Sequence, residues 1–339
     1  AGLKRGDVIA VMLPQCAALV VAHLGALKLG CAVVPLAEDS SAREVEHAIS
    51  DSRAKAIVLS TESCAGMDSI SNLKLLEAIF VAGELDEDLP ERNFWREVYA
   101  ASSDFTIAET RGETPAFIFS EDDAGFIHGH SLLIGSLPAF EMINDFDLAD
   151  DAVFYTRLNW SSAESLFGLL YPAWFYGLAV VACQQDSAMA AAERYRVTNL
   201  LVSSSEEDME KPRGLRLRSI YSINESLPRW AKAMGASAAS AYGVRGAPMI
   251  AASCERWFST PAGSRGRAAV GHRVEVIDES GRPLQPGKPG RIVVRRPDPS
   301  LFLSRCGDTK SADEWHTLAR GLRGEDGSLW FATVDERSP

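Results

Sequence analysis

Short apolar runs rich in β-branched residues alternate with longer helical patterns through the first 240 residues of this chain. The run at 8–12 is followed by a helical pattern over 17–29 that ends at Gly30, and a second apolar run starts at Ala32. Buried parallel strands are continuously apolar, and consecutive parallel strands need a crossover that is usually a helix. The alternation therefore predicts an α/β fold in which parallel sheets are sandwiched between helices.

The same pattern predicts further elements along the chain. Ser40 and Ser41 are N-cap candidates for a helix that runs through Ile49. The stretch 166–183 is uncharged and nearly long enough to span a membrane, but its proline and two glycines favour a buried helix, a turn and a buried strand. Further strands are expected at 56–59, 116–119, 153–156, 199–202, 219–222 and 237–241, and further helices at 131–142, 187–195 and 227–234.

The pattern changes near Tyr242. Strand-like runs at 270–278 and 291–295 are joined by segments rich in Gly and Pro. Strands separated by such turns predict a smaller antiparallel β subdomain. We therefore expect an α/β part over 1–240 and a second part over 241–339.

Charge and cysteine usage exclude several classes of partner and compartment. The 46 acidic and 34 basic residues give a net charge of −12, so neither nucleic acid nor an anionic membrane is an expected partner. The six cysteines are scattered singly, which is typical of a reducing compartment. The N-terminal stretch is polar and lacks the apolar region of a signal peptide, and we predict a cytoplasmic protein.

Few residues point to chemistry on their own. His128 and His130 would share one face of a strand, but no third ligand is clustered with them, and no metal site is predicted. The acidic triplet 121–123 is more typical of a solvated turn than of a magnesium site or a general base. Glu164 and Glu225 lie in weakly charged stretches and are either pocket carboxylates or surface residues.

Several segments together resemble a known family. The stretches 2–14 and 25–36 are similar to the opening of the adenylate-forming (AMP-binding) acyl-CoA synthetases, nearest the acetyl- and medium-chain enzymes. The segments 114–119, 128–130, 159–160, 241–243, 263–299 and 326–331 extend the resemblance in the same order. The resemblance implies the large-domain fold of these enzymes. It also implies two half-reactions, in which a carboxylate attacks the α-phosphate of ATP and a thiol then displaces AMP.

The residues that would hold the nucleotide depart from the family's pattern. The phosphate loop that ends in Lys-Gly is shortened to 120–125, with Ala124 at the Lys position before Gly125. Tyr-Gly-x-Thr-Glu becomes 242–246, with Arg245 for the Thr and Gly246 for the metal-binding Glu. The adenine-flanking Gly-Gly-Glu aligns with 223–225, and the ribose-binding Thr-Gly-Asp with 318–320, which ends in Arg320. The hinge aligns with 333–335, and we expect the domain with the catalytic Lys to be absent.

These departures predict that adenylate formation is lost. Removing one electrostatic donor typically costs ~10²–10³ in rate, and several are replaced together. We expect neither ATP nor Mg²⁺ to bind and no catalytic residue to remain. The protein would be a pseudoenzyme that acts as a binding or scaffold subunit, in a homo-oligomer or with a partner protein. A remnant acyl or CoA pocket is expected at Trp160, Glu164, Asn224, Glu225, Tyr242 and Gly243.

Two alternatives remain open at this point. The chain could be a divergent active acyl-CoA synthetase, an acid–thiol ligase of the acetyl- or medium-chain type, that another polypeptide completes. Alternatively, the fold could support ATP-independent chemistry on a thioester, for which His128, His130 and Glu164 are the candidate residues. A shared fold does not choose between these functions.

Overall fold

The computed structural model describes residues 2–65, 76–83, 91–120, 124–183, 188–203, 216–225, 227, 231–308 and 315–332. The strands within these ranges are β1 (Val8–Met12), β2 (Ala32–Leu36), β3 (Ala56–Leu59), β4 (Ala78–Val81), β5 (Arg92–Asn93), β6 (Pro115–Phe119), β7 (Phe126–Gly129), β8 (Val153–Thr156), β9 (Ala179–Val180), β10 (Asn199–Leu201), β11 (Ser219–Ile223), β12 (Ser237–Val244), β13 (Ala247–Ala252), β14 (Arg267–Ala268), β15 (Val274–Ile277), β16 (Gly290–Arg295), β17 (Ser304–Arg305), β18 (Trp315–Arg323) and β19 (Leu329–Phe331). The helices are α1 (Ala17–Leu29), α2 (Ala42–Ser52), α3 (Thr61–Ala65), α4 (Phe94–Ala100), α5 (Ser131–Gly135), α6 (Leu137–Ile143), α7 (Ala163–Ser165), α8 (Tyr171–Phe175) and α9 (Ala188–Tyr195), with a π-helical turn at Leu166–Leu170 and a 3₁₀ turn at Ala231–Met234.

The chain forms two compact units, and neither is one continuous stretch. The first unit comprises Ala1–Ser131, Asn159–Ser162 and Phe302–Ala312, and the second comprises Leu132–Leu158, Ala163–Leu301 and Asp313–Pro339. The division expected between residues 240 and 241 falls inside β12. The change of pattern near Tyr242 marks a change from parallel to antiparallel pairing within one sheet, and not a boundary between units.

The first unit is built on one mixed sheet. Its strand order is β17-β7-β6-β2-β1-β3-β4-β5, with parallel pairing from β6 to β5 and antiparallel pairing of β6, β7 and β17. Helix α2 packs on one face, where Val45, Ala48 and Ile49 contact alternate residues of the central strands. Of the two candidate N-caps, Ser41 is the one used, and its side chain and that of Glu44 form a reciprocal capping box.

The second unit contains two sheets. The larger has the order β14-β13-β12-β11-β10-β8-β9, with parallel pairing from β9 to β12 and antiparallel pairing of β12, β13 and β14. The smaller, β15-β16-β18-β19, is entirely antiparallel. The α/β fold class and the smaller antiparallel sheet predicted from the sequence are therefore confirmed.

Several element boundaries differ from the prediction. The helix expected at 131–142 is divided into α5 and α6, because Pro138 has no N–H to continue the helical ladder. Only the 3₁₀ turn Ala231–Met234 is described within the helix expected at 227–234. The stretch 166–183 contains the buried π-helical turn, α8 and β9, and Gly177 has a φ of 71°. No helix in the described ranges is long and apolar enough to cross a membrane.

Candidate functional site

The expected pocket residues are divided between the units. Trp160 belongs to the first unit and is buried. The other five, Glu164, Asn224, Glu225, Tyr242 and Gly243, belong to the second unit. Hydrogen bonds connect Glu164, Asn224 and Gly243 directly, and Tyr242 and Glu225 are their chain neighbours. The site is described from these five residues.

Asn224 is the centre of this cluster. It follows β11 with a φ of 65°, a left-handed conformation that Asn tolerates better than most residues. Its Nδ2 donates to Glu164 Oε1 at 3.1 Å, and its Oδ1 accepts from the buried Gly243 N–H at 3.0 Å. Its backbone N–H donates to Ala241 O at 3.0 Å. The side chain therefore ties α7 to β12 across the carboxyl end of β11.

Arg265 reaches into the same cluster, and sequence reasoning missed it. Its Nη1 donates to Glu225 O at 2.5 Å, and its Nη2 donates to Asn224 O at 3.1 Å. Burial lowers the pKa of the guanidinium, and the Glu225 and Tyr242 side chains oppose this shift. The fork-like guanidinium thus bridges two consecutive carbonyl oxygens beside β12.

Backbone geometry fixes the position of Arg265. The next residue, Gly266, has a φ of 87°, and a Cβ there would lie 2.0 Å from Ala252 O. The N–H of Arg265 itself donates to Leu329 O at 2.9 Å. The segment Gly263-Ser264-Arg265-Gly266-Arg267, which carries the family resemblance, was the only sequence signal for this residue.

Tyr242 is covered on one face by another aromatic ring. The rings of Tyr242 and Phe331, which lies on β19, stack with their centroids 3.5 Å apart and their planes 12° apart. Burial raises the pKa of the Tyr242 phenol to about 12, and the Arg265 guanidinium opposes this rise. An apolar or aromatic ligand could contact this side of the ring only if Phe331 moved.

The two carboxylates of the cluster already have donors. Glu164 accepts from Asn224, and Glu225 Oε2 accepts from Ser203 Oγ at 2.9 Å. Both side chains are half-buried. Neither carboxylate is fully exposed, and their role as pocket residues stays a prediction.

The residues that align with the family's phosphate loop belong to the first unit. Its acidic triplet 121–123 lies outside the described residues, whereas Ala124 and Gly125 are described. The Gly125 N–H donates to Asp51 Oδ2 at 2.8 Å, and Gly125 O accepts from the Cys306 N–H at 2.8 Å. Burial, reinforced by Asp51, raises the pKa of the Cys306 thiol to about 12. A side-chain carboxylate, and not a free anion, is thus the partner of this amide.

The positions expected for metal and ribose binding lie in the second unit. Arg245 and Gly246 form the two-residue turn between β12 and β13. Arg320 is exposed on β18, where its Nη1 lies 3.1 Å from Glu279 Oε1. The hinge-equivalent residues 333–335 lie outside the described residues.

The residues of the thioester alternative are also divided between the units. His128 is buried on β7 against the edge of the Phe119 ring, with centroids 5.8 Å apart. Burial lowers the pKa of His130. Both histidines belong to the first unit and Glu164 to the second. Within the part of the chain that is described, no three His, Cys, Asp or Glu side chains group closely enough to hold a metal ion.

Comparison with known proteins agrees with the fold and with the sequence resemblance. Residues 1–120 match the family described as AMP-binding enzyme. The human mitochondrial acyl-coenzyme A synthetase ACSM4 is 25% identical over 367 residues, which cover 97% of this chain and 62% of that protein. The uncharacterized acyl-CoA ligase YtcI of Bacillus subtilis is 24% identical, with 99% of this chain and 67% of that protein covered.

Solved structures agree with the fold. The acyl-CoA synthetase of Brucella canis superposes with a TM-score of 0.85 at 22% identity, covering 98% of this chain and 66% of that one. The chain therefore spans roughly two thirds of the length of its relatives, and 62% of ACSM4. The similarity over nearly the whole chain confirms the resemblance predicted from the sequence. Over nearly its whole length the chain is similar to acyl-CoA synthetases and ligases, and its residues 1–120 match the AMP-binding enzyme family.

Proposed function

We propose that this acyl-CoA synthetase-like protein no longer forms adenylates and serves as a binding or scaffold subunit. The observation that carries the proposal is the closed hydrogen-bond cluster around Asn224. The Asn224 side chain is hydrogen-bonded to Glu164 and Gly243, and the Asn224 backbone carbonyl oxygen accepts a hydrogen bond from Arg265. Polar groups that a nucleotide would have to contact are already satisfied by other residues of the same chain.

The residues present do not fit ATP or Mg²⁺. Gly246 offers no carboxylate at the position implied for the metal ligand, and Arg245 adds a cation beside it. Arg320 cannot accept the hydrogen bonds of ribose hydroxyls, and it is paired with Glu279. The Gly125 amide is bonded to the Asp51 carboxylate. We therefore propose that neither ATP nor Mg²⁺ binds, and we derive no step through them.

The partners of such a subunit follow from the same reasoning. Tyr242 is buried and stacks on Phe331, and we propose an acyl or CoA-type molecule as a small ligand at this part of the second unit. Trp160, in the first unit, is proposed as a separate candidate contact. A homo-oligomer or a partner protein is proposed as the macromolecular context. A cytoplasmic location remains a prediction, whereas the human relative ACSM4 is named as a mitochondrial protein.

A divergent active ligase is the second candidate, and one observation favours it. The relatives matched over 97–99% of this chain are named as acyl-CoA synthetases or ligases. An active form would also need a catalytic lysine, which a further domain or a second polypeptide could supply. This candidate predicts that nucleotide binding survives in the isolated chain.

Titration calorimetry separates the two candidates. The chain would be titrated with MgATP, AMP, CoA and a medium-chain acyl-CoA, each under the same buffer and salt. We expect no heat of binding with MgATP or AMP, and saturable binding with CoA or acyl-CoA would support the remnant pocket. Saturable MgATP binding would contradict the proposal and favour the ligase.

A variant pair locates any ligand that binds. Trp160→Ala removes the candidate contact in the first unit, and Trp257→Ala removes an indole that is 61% exposed in the second unit as a matched control. Acyl-CoA binding that Trp160→Ala weakens and Trp257→Ala leaves unchanged would support Trp160 as a ligand contact in the first unit. Binding unchanged in both variants would refute it.

A further inference from the structure

We infer that the first unit carries a docking surface for an amphipathic helix of a partner protein, on the sheet face covered by α1 and α4. This surface is separate from the Asn224 cluster, which lies in the second unit. The inference therefore does not depend on whether adenylate formation is lost.

Helix α1 is apolar on all sides, yet part of it faces solvent. Within Ala17–Leu29 the only polar side chains are those of His23 and Lys28. One side of the helix packs against β1 and β2 and is buried. On the other side, Val21 and Leu24 are 37% and 40% exposed. A helix that is apolar all round is normally covered on all sides, so the outer face of α1 calls for a covering element.

A cleft of about 350 Å³ runs between α1 and α4. Ile9, Val58 and Phe80 form its floor, on the sheet face opposite α2. Helix α4 presents Phe94, Glu97 and Val98 to it, which is one face of that helix at i, i+3 and i+4 spacing. The two helices therefore present apolar faces to a shared cleft, which neither of them fills.

The cleft continues into a wider apolar surface. Tyr99, which follows Val98 on α4, is 81% exposed, and Phe105 and Ile107 in the next segment are 48% and 60% exposed. That segment is held beside α1, because the Ala108 N–H donates to Lys28 O at 2.9 Å and the Lys28 ammonium lies 5.9 Å from the centre of the Phe105 ring. Contiguous exposed apolar side chains of this extent are typical of protein interaction surfaces.

Shape and charge favour a helix as the occupant. A Cβ added to Gly25 would meet no atom within 4 Å, so another backbone can approach α1 closely at this point. Glu97 is the one charged residue among those that line the cleft in the described part of the chain. An apolar helix face with Leu anchors and a flanking Lys or Arg would fill the cleft and pair with this carboxylate.

The other occupants fit less well. A fatty acid would bring a second carboxylate to Glu97. A second copy of the chain would bring another net charge of −12 to the interface. We therefore commit to a basic amphipathic helix of a different protein.

The test uses a fluorescein-labelled peptide with leucines at i, i+3, i+4 and i+7 and lysines along one flank, measured by fluorescence anisotropy. We expect saturable binding to the full chain. Leu24→Glu should weaken it by about 10-fold or more, because an unpaired carboxylate would be buried. Phe175→Glu changes a side chain that is 59% exposed on the second unit, and it should leave the affinity unchanged.

A charge swap keeps the test independent of folding defects. Glu97 is exposed, so Glu97→Lys should fold, as thermal unfolding would verify. We expect this variant to bind the lysine peptide up to about 5-fold more weakly, and to prefer a peptide with glutamates in place of the lysines. A scrambled peptide of the same composition should bind neither protein.

Four results would overturn the inference. They are no saturable peptide binding, equal binding by Leu24→Glu and the unaltered chain, equal binding of the scrambled peptide, and a dimer that Leu24→Glu dissociates. Binding of a long-chain alcohol in the cleft without peptide binding would also overturn it, in favour of a small apolar ligand. The calorimetric result with MgATP bears only on the proposed function.

Discussion

Replacing Asn224 by alanine should destabilise the second unit, because two features of the site depend on this side chain. Asn224 holds a φ of 65°, and its Oδ1 is the partner of the buried Gly243 N–H at 3.0 Å. The left-handed backbone conformation costs alanine about 1–2 kcal/mol. Leaving a buried donor unpaired costs a further ~1–3 kcal/mol. We expect the free energy of unfolding to fall by about 2–5 kcal/mol in all.

Asn224→Gly is the matched control. Glycine adopts the positive φ without strain, so this variant loses the hydrogen bonds but not the backbone conformation. Its free energy of unfolding should lie between those of the unaltered chain and of Asn224→Ala, about 1 kcal/mol above that of the alanine variant.

The assay combines urea unfolding with hydrogen exchange of the Gly243 amide, which reports the site itself. Both variants should lose protection at Gly243 while amides of β1 in the first unit keep theirs. The reasoning is refuted if Asn224→Ala unfolds within about 0.5 kcal/mol of the unaltered chain and the Gly243 amide stays protected.

Three further predictions concern titration and backbone strain. Burial raises the pKa of Tyr242 from 10 to about 12, so the neutral phenol should stabilise the fold below pH 10. This contribution should be lost as the pH rises towards 12. Tyr242→Phe should remove the corresponding step from the curve of stability against pH. Burial lowers the pKa of His23 from 6.5 to about 3, so the neutral imidazole should stabilise the fold above pH 6.5. This contribution should be lost as the pH falls towards 3. The stability of His23→Leu should lack this dependence on pH. Gly266→Ala should unfold at a lower urea concentration than Gly271→Ala. Both glycines have a positive φ, but only the Cβ added at position 266 would clash with backbone, at 2.0 Å from Ala252 O. Equal unfolding midpoints would contradict the packing described.

The local parts of the fold were predictable from the sequence. The bounds of β1, α1 and β3 agree with the prediction residue by residue, because each apolar run is continuous and bounded by turn residues. Gly30 ends α1 in the left-handed conformation, with a φ of 78°, which is the physical basis of the C-cap expectation. Pro138, in contrast, was present in the sequence as a signal for the break between α5 and α6 and was not used.

The candidate site was predictable only in part. The positions 223–225 and 242–243 were identified through the resemblance, and the structure brings them together. Arg265 and Phe331 were missed, because their contacts join residues about 40 and 89 positions apart, at separations that no local pattern encodes. The positive φ of Asn224 was missed for a related reason, since Asn adopts both extended and left-handed backbone.

Carboxylate-dependent exchange of pyrophosphate into ATP tests the central claim most directly, because it reports adenylate formation without requiring the second half-reaction. The purified chain would be assayed with acetate and with medium-chain acids in the presence of Mg²⁺, against heat-inactivated protein as background. The loss of adenylate formation predicts exchange equal to that background for every acid. Exchange above the background that depends on the added acid would contradict it and would show that the chain still forms adenylates.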